Sequence, residues 1–331
     1  MASPPGYLAH HWQAFPSRPA DFHRMDRKLL AHIALLVVNL IYGANYPVAK
    51  SLMPGVIGPA GFILLRVLGA VLLFWSLRAL LPEKVLWKDM GRFALCGLTG
   101  VAVNQLFFFE GLVRTTAVNA SIIMVATPIL VLVLSAVIIG ERITQQKLGG
   151  VVLGAAGALT LILSHGTGGG SGASLKGDLF ILVNACSFAV YLVMVKPLMR
   201  RYSAITVMSM CFLIGSVIVL PVGAGEFMHV EWAFLDGSVL LKMSFVVVCV
   251  TFIAYLLNTW ALRHVEPSVV GIYIYLQPML ALFFTWLAAQ LTWLGNSSVP
   301  VGLGFGWVQG LSAALIFLGV YLVGRADAKE A

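Results

Sequence analysis

The chain contains ten apolar segments, each long enough to cross a lipid bilayer, and together they occupy nearly the whole sequence from Leu29 to Val323. A helix needs roughly 20 mostly apolar residues to span a hydrocarbon core about 30 Å thick. Segments 117–139 and 204–225 reach that length without a charged residue. With 60% hydrophobic and 10% charged residues, the chain lacks the polar side chains that would cover a water-soluble surface. This pattern predicts an all-α membrane protein.

The ten expected spans divide five and five around a Gly/Ser-rich linker at residues 165–176. We expect a disordered tail over 1–28, a first repeat over 29–164, a second repeat over 177–324, and a short tail over 325–331. The expected spans are 29–52, 60–81, 91–112, 117–139, 147–164, 177–198, 204–225, 239–262, 268–290 and 302–324.

The placement of basic residues predicts the orientation of these spans. Sixteen of the 21 Lys and Arg residues fall on the side that contains both termini, four fall on the other side, and Arg66 lies inside a span. Because cytoplasmic loops are enriched in Lys and Arg, both termini are expected in the cytoplasm of an inner-membrane protein. The net charge of +8 is explained by these loops, so no nucleic-acid partner is expected.

The two halves of the chain resemble each other. The segments around Pro128 and Pro278 align without a gap at an offset of 150, and VAKSLM aligns with MVKPLM so that Lys50 falls on Lys196. Each half has five expected helices, an odd number, so the second half would enter the membrane the opposite way up. Two inverted five-helix repeats around a central cavity are typical of transporters that work by alternating access.

These motifs resemble the EamA-type transporters of the drug/metabolite transporter superfamily over residues 29–324. The residues that carry the resemblance are NLIYGANYPVAK, ILLRVLGA, NQLFFFEGL, NASIIMVATPIL and GERIT, then YLLNTWALRHVEPSVVGIYIYLQP and GVYLV. The resemblance implies a ten-helix fold with a central cavity and export of small metabolites, amino acids among the known cases. The second repeat departs from the pattern, because Gln290 stands near the place where Glu141 ends the fourth helix.

Polar side chains inside spans are costly in lipid and are therefore candidates for a site in the bundle interior. The candidate cavity-lining residues are Asn39, Tyr42, Asn45, Gln105, Phe108, Tyr191, Tyr255, Asn258, Tyr273 and Gln277. Aromatic walls with a few amides suit amphipathic solutes. The alternatives are that the amides bind neighbouring helices and that the tyrosines belong to an interfacial belt.

Two charged residues need separate treatment. Glu110 is four residues before Arg114, so a local ion pair is favoured over a proton-carrying site. Arg66 either pairs with Glu110 or helix carbonyls, or holds an anionic group of a substrate. Both residues are candidates for charge recognition or coupling.

Prolines and glycines indicate where helices bend and pack. Pro47, Pro128 and Pro278 each free a backbone carbonyl and are candidate helix breaks or gates. The glycines over 149–157 and 302–310 have the spacing of closely packed helices, which suits contacts within one bundle or a homodimer face.

The remaining features limit the function. The four cysteines lie in apolar runs without C-x-x-C spacing, and the seven histidines are scattered, so neither a metal site nor a cofactor is expected. No Walker A motif occurs, so a secondary transporter of a small metabolite is favoured. The first alternative is a sugar-phosphate or nucleotide-sugar exchanger, which would need several basic residues in the cavity. The second and less favoured alternative is an intramembrane enzyme, which would need paired acids, clustered histidines or an activated nucleophile.

Overall fold

The computed structural model describes residues 19–53, 55–115, 120, 123–164, 174–290 and 307–330, and the regular structure of this part is entirely helical. The helices are α1 (Pro19–Leu52), α2 (Pro59–Leu80), α3 (Trp87–Arg114), α4 (Ala126–Ile139), α5 (Gln145–Ser164), α6 (Leu175–Met199), α7 (Ala204–Met228), α8 (Gly237–Ala261), α9 (Pro267–Ile272 and Leu276–Gln290, joined by the 3-10 turn Tyr273–Tyr275) and α10 (Trp307–Glu330).

Eight segments in the described part are long and apolar enough to cross a membrane, and they fall on eight of the ten expected spans. The other two expected spans coincide with α4, described as a 14-residue apolar helix, and with the 20-residue α5. Large apolar side chains such as Leu72 and Val137 are exposed on the outside of the bundle. Long apolar helices with such side chains on the outside are typical of proteins that contact lipid. The chain is a multi-pass helical membrane protein.

Three expected boundaries differ in detail from the helices. α1 begins at Pro19, inside the segment 1–28 that was expected to be an irregular tail, and residues 1–18 lie outside the described part. Proline is favoured in the first turn, and no glycine or proline follows before Gly43. α6 begins at Leu175, within the expected linker, and its N-terminus is capped by Ser174. α10 continues to Glu330, through most of the expected C-terminal tail.

Helices of the first half (α1–α5) pack against helices of the second half (α6–α10), and each of these contacts has a counterpart in which the two halves are reversed. α2 packs along α7 and α5 along α10, while α3 and α4 both contact α6, as α8 and α9 both contact α1. Each contact therefore recurs when the halves are exchanged. This is the relation expected of two repeats around an approximate two-fold axis.

The repeat also appears in local backbone structure. π-helical segments interrupt α3 at Leu98–Val103 and α8 at Val246–Ile253, and they end at positions 150 residues apart. α4 and the longer part of α9 begin at Ala126 and Leu276, which are again 150 residues apart. The alignment read from the sequence therefore corresponds to equivalent irregularities in the two halves.

The three candidate prolines occupy two kinds of position. Pro128 and Pro278 are each the third residue of a helix, so the irregular turn lies just before them, at Val125 and at Tyr273–Tyr275. Proline is tolerated in a first turn because its missing N–H would have no helical partner there. Pro47 lies inside the continuous helix α1. The role of these residues as gates stays a prediction.

Candidate substrate site between the two halves

Arg66 of α2 lies in the interior of the bundle and contacts the second half of the chain. Its side chain is only 5% exposed, and its Nε donates a hydrogen bond to Thr251 Oγ1 of α8 at 3.0 Å. The guanidinium carbon lies 5.8 Å and 5.7 Å from the ring centres of Phe62 and Phe109. A buried cation over two aromatic faces is stabilised by the ring quadrupoles. The guanidinium is therefore fixed at the interface of the two repeats.

The π-helical segment of α8 places Thr251 for this contact. Thr251 is fully buried, and its hydroxyl donates to the carbonyl of Val246, five residues earlier, at 2.8 Å. π-helical turns add a residue to the helix and are frequent at functional sites. With its own proton committed to Val246, the Thr251 oxygen acts as the acceptor for Arg66.

The expected pairing of Arg66 with Glu110 does not occur. Glu110 forms an ion pair with Arg114 on its own helix, as the spacing of four residues predicted. The pair is partly exposed at the end of α3, whereas Arg66 is buried deeper. A role for either residue in transport stays a prediction.

Aromatic side chains from both halves surround the guanidinium. Tyr42 of α1 and Tyr255 of α8 both lie close enough to Arg66 to interact with its charge. Tyr255 also packs edge-on against Phe212 at 5.1 Å. Asn258 is buried one turn further along α8. On α3, Phe108 is half-buried and packs edge-on against Phe109 at 5.2 Å. Of the predicted cavity residues, Tyr42 and Tyr255 therefore lie beside Arg66, the candidate for charge recognition.

Tyr191 is buried by a specific packing arrangement. Its hydroxyl lies 3.0 Å from Thr259 Oγ1, and its ring covers Gly100, where an added Cβ would collide with the ring. Gly100 belongs to the π-helical segment of α3. Since its hydroxyl already has a protein partner, Tyr191 connects α3, α6 and α8 and offers less to a ligand than Tyr42 does.

Four amide side chains contain buried atoms that lack a hydrogen-bond partner in the described part of the chain. They are Asn39 and Asn45 of α1, Gln105 of α3 and Asn184 of α6. Asn184 was not singled out from the sequence, although an amide inside an apolar run was the signal used for the other three. Gln277 is half-buried in α9.

Tyr273 is placed at the inner end of the bundle. Its hydroxyl lies 3.0 Å from His32 Nδ1, close to the ion pair between Lys28 and Asp327. The neighbouring Tyr275 is fully buried and donates to the carbonyl of Val125, at the break before α4. Tyr273 therefore joins α1 to α9 near the cytoplasmic side predicted from the charges.

Two buried lysines lie near the connection between α8 and α9, and one of them, Lys196, contacts it directly. Lys196 of α6 donates to the carbonyl of Val265 at 2.5 Å and lies 3.5 Å from a carboxylate oxygen of Glu266. Lys147, whose side chain is 0% exposed, lies 3.2 Å from Glu141 Oε1. The same carboxylate accepts a hydrogen bond from Ser268 at the start of α9. Sequence analysis did not find this cluster, because its members are far apart in the chain.

His264 lies at this connection, outside the membrane spans. Burial lowers the pKa of His264 below its ordinary value of 6.5, and the nearby positive charges of Arg263, Arg27 and Lys196 lower it further. Neutral imidazole is therefore favoured there at pH 7.

The opposite end of the bundle has a different set of contacts. Ser174 donates to the carbonyl of Arg114 at 2.8 Å, and the Thr115 hydroxyl donates to Asp178. Glu226, which directly follows the apolar run of α7 and was not singled out, accepts a hydrogen bond from the Gly61 N–H at 2.9 Å. It borders a surface cavity of about 380 Å³ that also includes His229.

Within the described part, no group of three or more His, Cys, Asp or Glu residues is arranged to hold a metal ion. The four cysteines are free; Cys96 and Cys211 are buried, and Cys186 is exposed on the bundle surface. An interior polar site between two helical repeats of a membrane protein is typical of a transporter.

Comparison with known proteins supports the same class. The chain belongs to the EamA-like transporter family, whose model matches residues 29–163 and 175–325. It is 27% identical over 303 residues to an uncharacterized transporter of Archaeoglobus fulgidus, covering 91% of this chain and 99% of that protein. It is 26% identical over 295 residues to a probable terminal-alkyne amino-acid exporter of Streptantibioticus cattleyicolor, covering 88% and 92%.

A solved crystal structure has the same fold, with a TM-score of 0.68 and 18% identity over 92% of this chain and 99% of the other. The family and these relatives identify the chain as a membrane transporter of the drug/metabolite type.

Proposed function

We propose that this chain is a secondary transporter that exports a small organic metabolite, an amino acid or a related amphipathic solute, across the inner membrane by alternating access. A relative named as an amino-acid exporter, 26% identical over 295 residues, supports this solute class. The aromatic side chains beside Arg66, together with the buried amides elsewhere in the interior, suit a solute with both polar and apolar parts.

The observation that carries the proposal is the state of Arg66. Its Nε is bonded to Thr251, while its two terminal nitrogens have no hydrogen-bond partner among the described residues. A buried guanidinium is costly unless its donors are satisfied. A carboxylate can accept two parallel hydrogen bonds from such a group. A solute carboxylate would supply the missing partner at the interface of the two repeats.

The proposed architecture has ten spans in two inverted five-helix repeats around a central cavity, with both termini in the cytoplasm. The exchanged helix contacts and the equivalent π-helical segments support the repeat, and the odd number of helices in each half supports its inversion. A homodimer stays a prediction, since Gly150 and Gly157 pack against Gly319 and Ser312 of α10 in the same chain.

Alternating access requires that contacts at the two ends form and break in turn. In the proposed cycle the inner end is closed by the contact of Lys196 with the α8–α9 connection and by the contact of Ser268 with Glu141. The outer end is closed by contacts of α6 with Arg114 and Thr115. Pro47, Pro128 and Pro278 lie where helices would bend between these states.

The structure does not favour the sugar-phosphate exchanger. Such a protein needs several basic side chains free to bind phosphate. Lys196 is committed to Val265 and Glu266, and Lys50 is exposed at the end of α1. Arg66 alone carries one positive charge, which is too little to neutralise a doubly charged phosphate group.

Transport assays in proteoliposomes test the proposal. Labelled amino acids, amines, nucleosides and sugar phosphates would be compared with and without an imposed pH gradient, beside an Asn45→Ala/Gln105→Ala variant. Saturable flux of a neutral or zwitterionic solute that the variant loses is the expected result. Flux of phosphorylated solutes alone would contradict the proposed solute class.

A further inference from the structure

Lys196, at the inner end of α6, makes a contact within the second half of the chain. The residue is 5% exposed, and its Nζ donates to the carbonyl of Val265 at 2.5 Å and lies 3.5 Å from a carboxylate oxygen of Glu266. A buried ammonium needs such acceptors, because an unsatisfied charge is costly away from water. The contact therefore joins α6 to the connection between α8 and α9.

Lys50 is the residue of the first half that corresponds to Lys196, and it makes no such contact. VAKSLM aligns with MVKPLM, and Lys50 lies in the last turn of α1 as Lys196 lies in the last turn of α6. Lys50 is exposed, and it forms no hydrogen bond or ion pair with any residue in the described part of the chain. At the offset of 150, Val265 corresponds to Thr115, where the connection between α3 and α4 begins. The counterpart of the Lys196 contact would be a hydrogen bond from Lys50 to the carbonyl of Thr115.

The helix packing differs between the two halves in the same way. α6 contacts α8 and the first turns of α9, whereas α1 does not pack along α3 within the described ranges. The contacts between the halves, by contrast, recur in both directions. A contact that is formed in one of two equivalent halves and missing in the other is expected when the halves hold alternate conformations. The described state therefore has its inner end closed around Lys196.

Exchanging the conformations of the two halves produces the opposite state. Lys196 would then leave Val265, and Lys50 would take the equivalent position at Thr115. The acceptor is a main-chain carbonyl, so the difference between valine and threonine does not remove it. The contacts of α6 with Arg114 and Thr115 are formed while the inner end is closed. A further contact at the outer end, which Lys50 can supply, must therefore distinguish the two states.

The side chains that support the inner contacts have no polar equivalents of the same kind in the first half. Glu266 corresponds to Thr116, which has no charge. Ser268, which donates to Glu141, corresponds to Val118, which has no hydroxyl. Because hydrogen bonds between charged groups are stronger than those to neutral acceptors, the inner contact is the more stable of the two. This difference agrees with the state in which Lys196 is bound and Lys50 is exposed.

We propose that Lys196 and Lys50 form alternating gate contacts. Lys196 holds the inner end closed in the described state, Lys50 holds the outer end closed in the opposite state by donating to the carbonyl of Thr115, and Glu266 favours the first state. The inference rests on the proposed function, since it assigns the contacts by which the site would turn from one side of the membrane to the other.

Cross-linking of cysteine pairs tests the exchange without any solute. In a background whose four native cysteines are replaced by alanine, Lys196→Cys/Val265→Cys and Lys50→Cys/Thr115→Cys would be treated in membranes with a short bismaleimide, which captures each state irreversibly. The four single-cysteine variants are the controls. Both pairs are expected to form a cross-link within one chain. Cross-linking of the first pair alone, or of neither pair, would overturn the proposal.

The bias assigned to Glu266 is tested in the same assay. Glu266→Gln removes the charge beside Lys196 and should raise the initial rate of cross-linking between positions 50 and 115 about two- to fivefold, the factor of a partly exposed ion pair. An unchanged rate would contradict the bias.

Transport by variants with the native cysteines assigns the outer contact to Lys50. Lys50→Met should lower leucine exchange about tenfold, and Lys50→Arg, which keeps a cationic donor, should retain more of the rate. Lys176→Met is the matched control, because Lys176 is also exposed at the outer end and its Nζ lies over the ring of Phe180 on its own helix. Equal exchange by Lys50→Met and the parent protein would overturn the role of Lys50. Cross-linking of both pairs without flux would contradict the proposed transport while supporting the exchange of contacts.

Discussion

Arg66 Nε and Thr251 Oγ1 are 3.0 Å apart, and this single hydrogen bond connects the second helix of one repeat to the third helix of the other. The residues are 185 positions apart in the chain. The bond holds the buried guanidinium of Arg66 beside the aromatic rings of both halves. The proposed solute site therefore lies at the interface of the two repeats.

Replacing Arg66 should abolish most transport without unfolding the protein. Arg66→Gln removes the charge that would hold a carboxylate, and we expect flux to fall about tenfold or more, the factor associated with a hydrogen bond to a charged group. Thr251→Val leaves the charge in place and should have a smaller effect. Initial rates in proteoliposomes measure both. Equal flux for Arg66→Gln and the parent protein would show that Arg66 is structural.

The Glu141–Lys147 pair should show strong coupling in stability. Removing one partner leaves an uncompensated buried charge, which typically costs about 3–5 kcal/mol, whereas replacing both is often close to neutral. We expect Glu141→Met and Lys147→Met each to destabilise the protein, and the double variant to recover much of the loss. The free energies of unfolding of the parent protein, the two single variants and the double variant would be measured in detergent. Additive effects of the two substitutions would contradict a buried ion pair.

The depressed pKa of His264 predicts a loss of stability in mild acid. Burial first, and then the positive charges of Arg263, Arg27 and Lys196, keep the folded pKa below 6.5. Below pH 6.5 the unfolded chain binds a proton that the folded chain does not, so the free energy of unfolding falls as the pH drops towards the folded pKa. Unfolding curves between pH 8 and 5 should show this decline. His264→Gln should reduce it, and an unchanged pH dependence in that variant would exclude His264 as its source.

Two adjacent glycines of α5 should respond in opposite ways to alanine. A Cβ on Gly150 would lie 2.7 Å from the carbonyl oxygen of Gly319 in α10, whereas one on Gly149 would meet nothing within 4 Å. Gly150→Ala should therefore destabilise the α5–α10 contact by about 1–3 kcal/mol. Gly149→Ala should stabilise α5 by about 0.5–1 kcal/mol through helix propensity. Thermal unfolding of both variants checks this, and a similar response at the two positions would contradict the described packing.

The hydrophobic pattern predicts most of the fold because each span must satisfy its backbone hydrogen bonds internally and present apolar side chains to lipid. The short-range pair Glu110–Arg114 was predictable from spacing, because residues four apart lie on the same face of a helix. The offset of 150 between Pro128 and Pro278 also corresponds to equivalent helix starts, at Ala126 and Leu276.

The site itself was less predictable. The sequence indicated Arg66, Tyr42 and Tyr255 as interior candidates, but not that Thr251 would hold the guanidinium. π-helical turns such as Val246–Ile253 shift the hydrogen-bond register without a distinctive composition, so their presence could not be read from residue types. The contact of Ser268 with Glu141 depends on how α4, α5 and α9 pack, which periodicity does not specify. Long-range polar contacts of this kind follow from tertiary structure alone.

Counterflow in proteoliposomes tests the central claim of alternating access at the interface of the repeats. Vesicles preloaded with unlabelled leucine would be diluted into a trace of labelled leucine, and accumulation of the label would be followed for the parent protein and for Arg66→Gln. A transporter that exposes one site to each side in turn should accumulate label transiently and saturably above equilibrium, and Arg66→Gln should lose this accumulation. Passive equilibration without saturation or overshoot, unaffected by Arg66→Gln, would contradict the account.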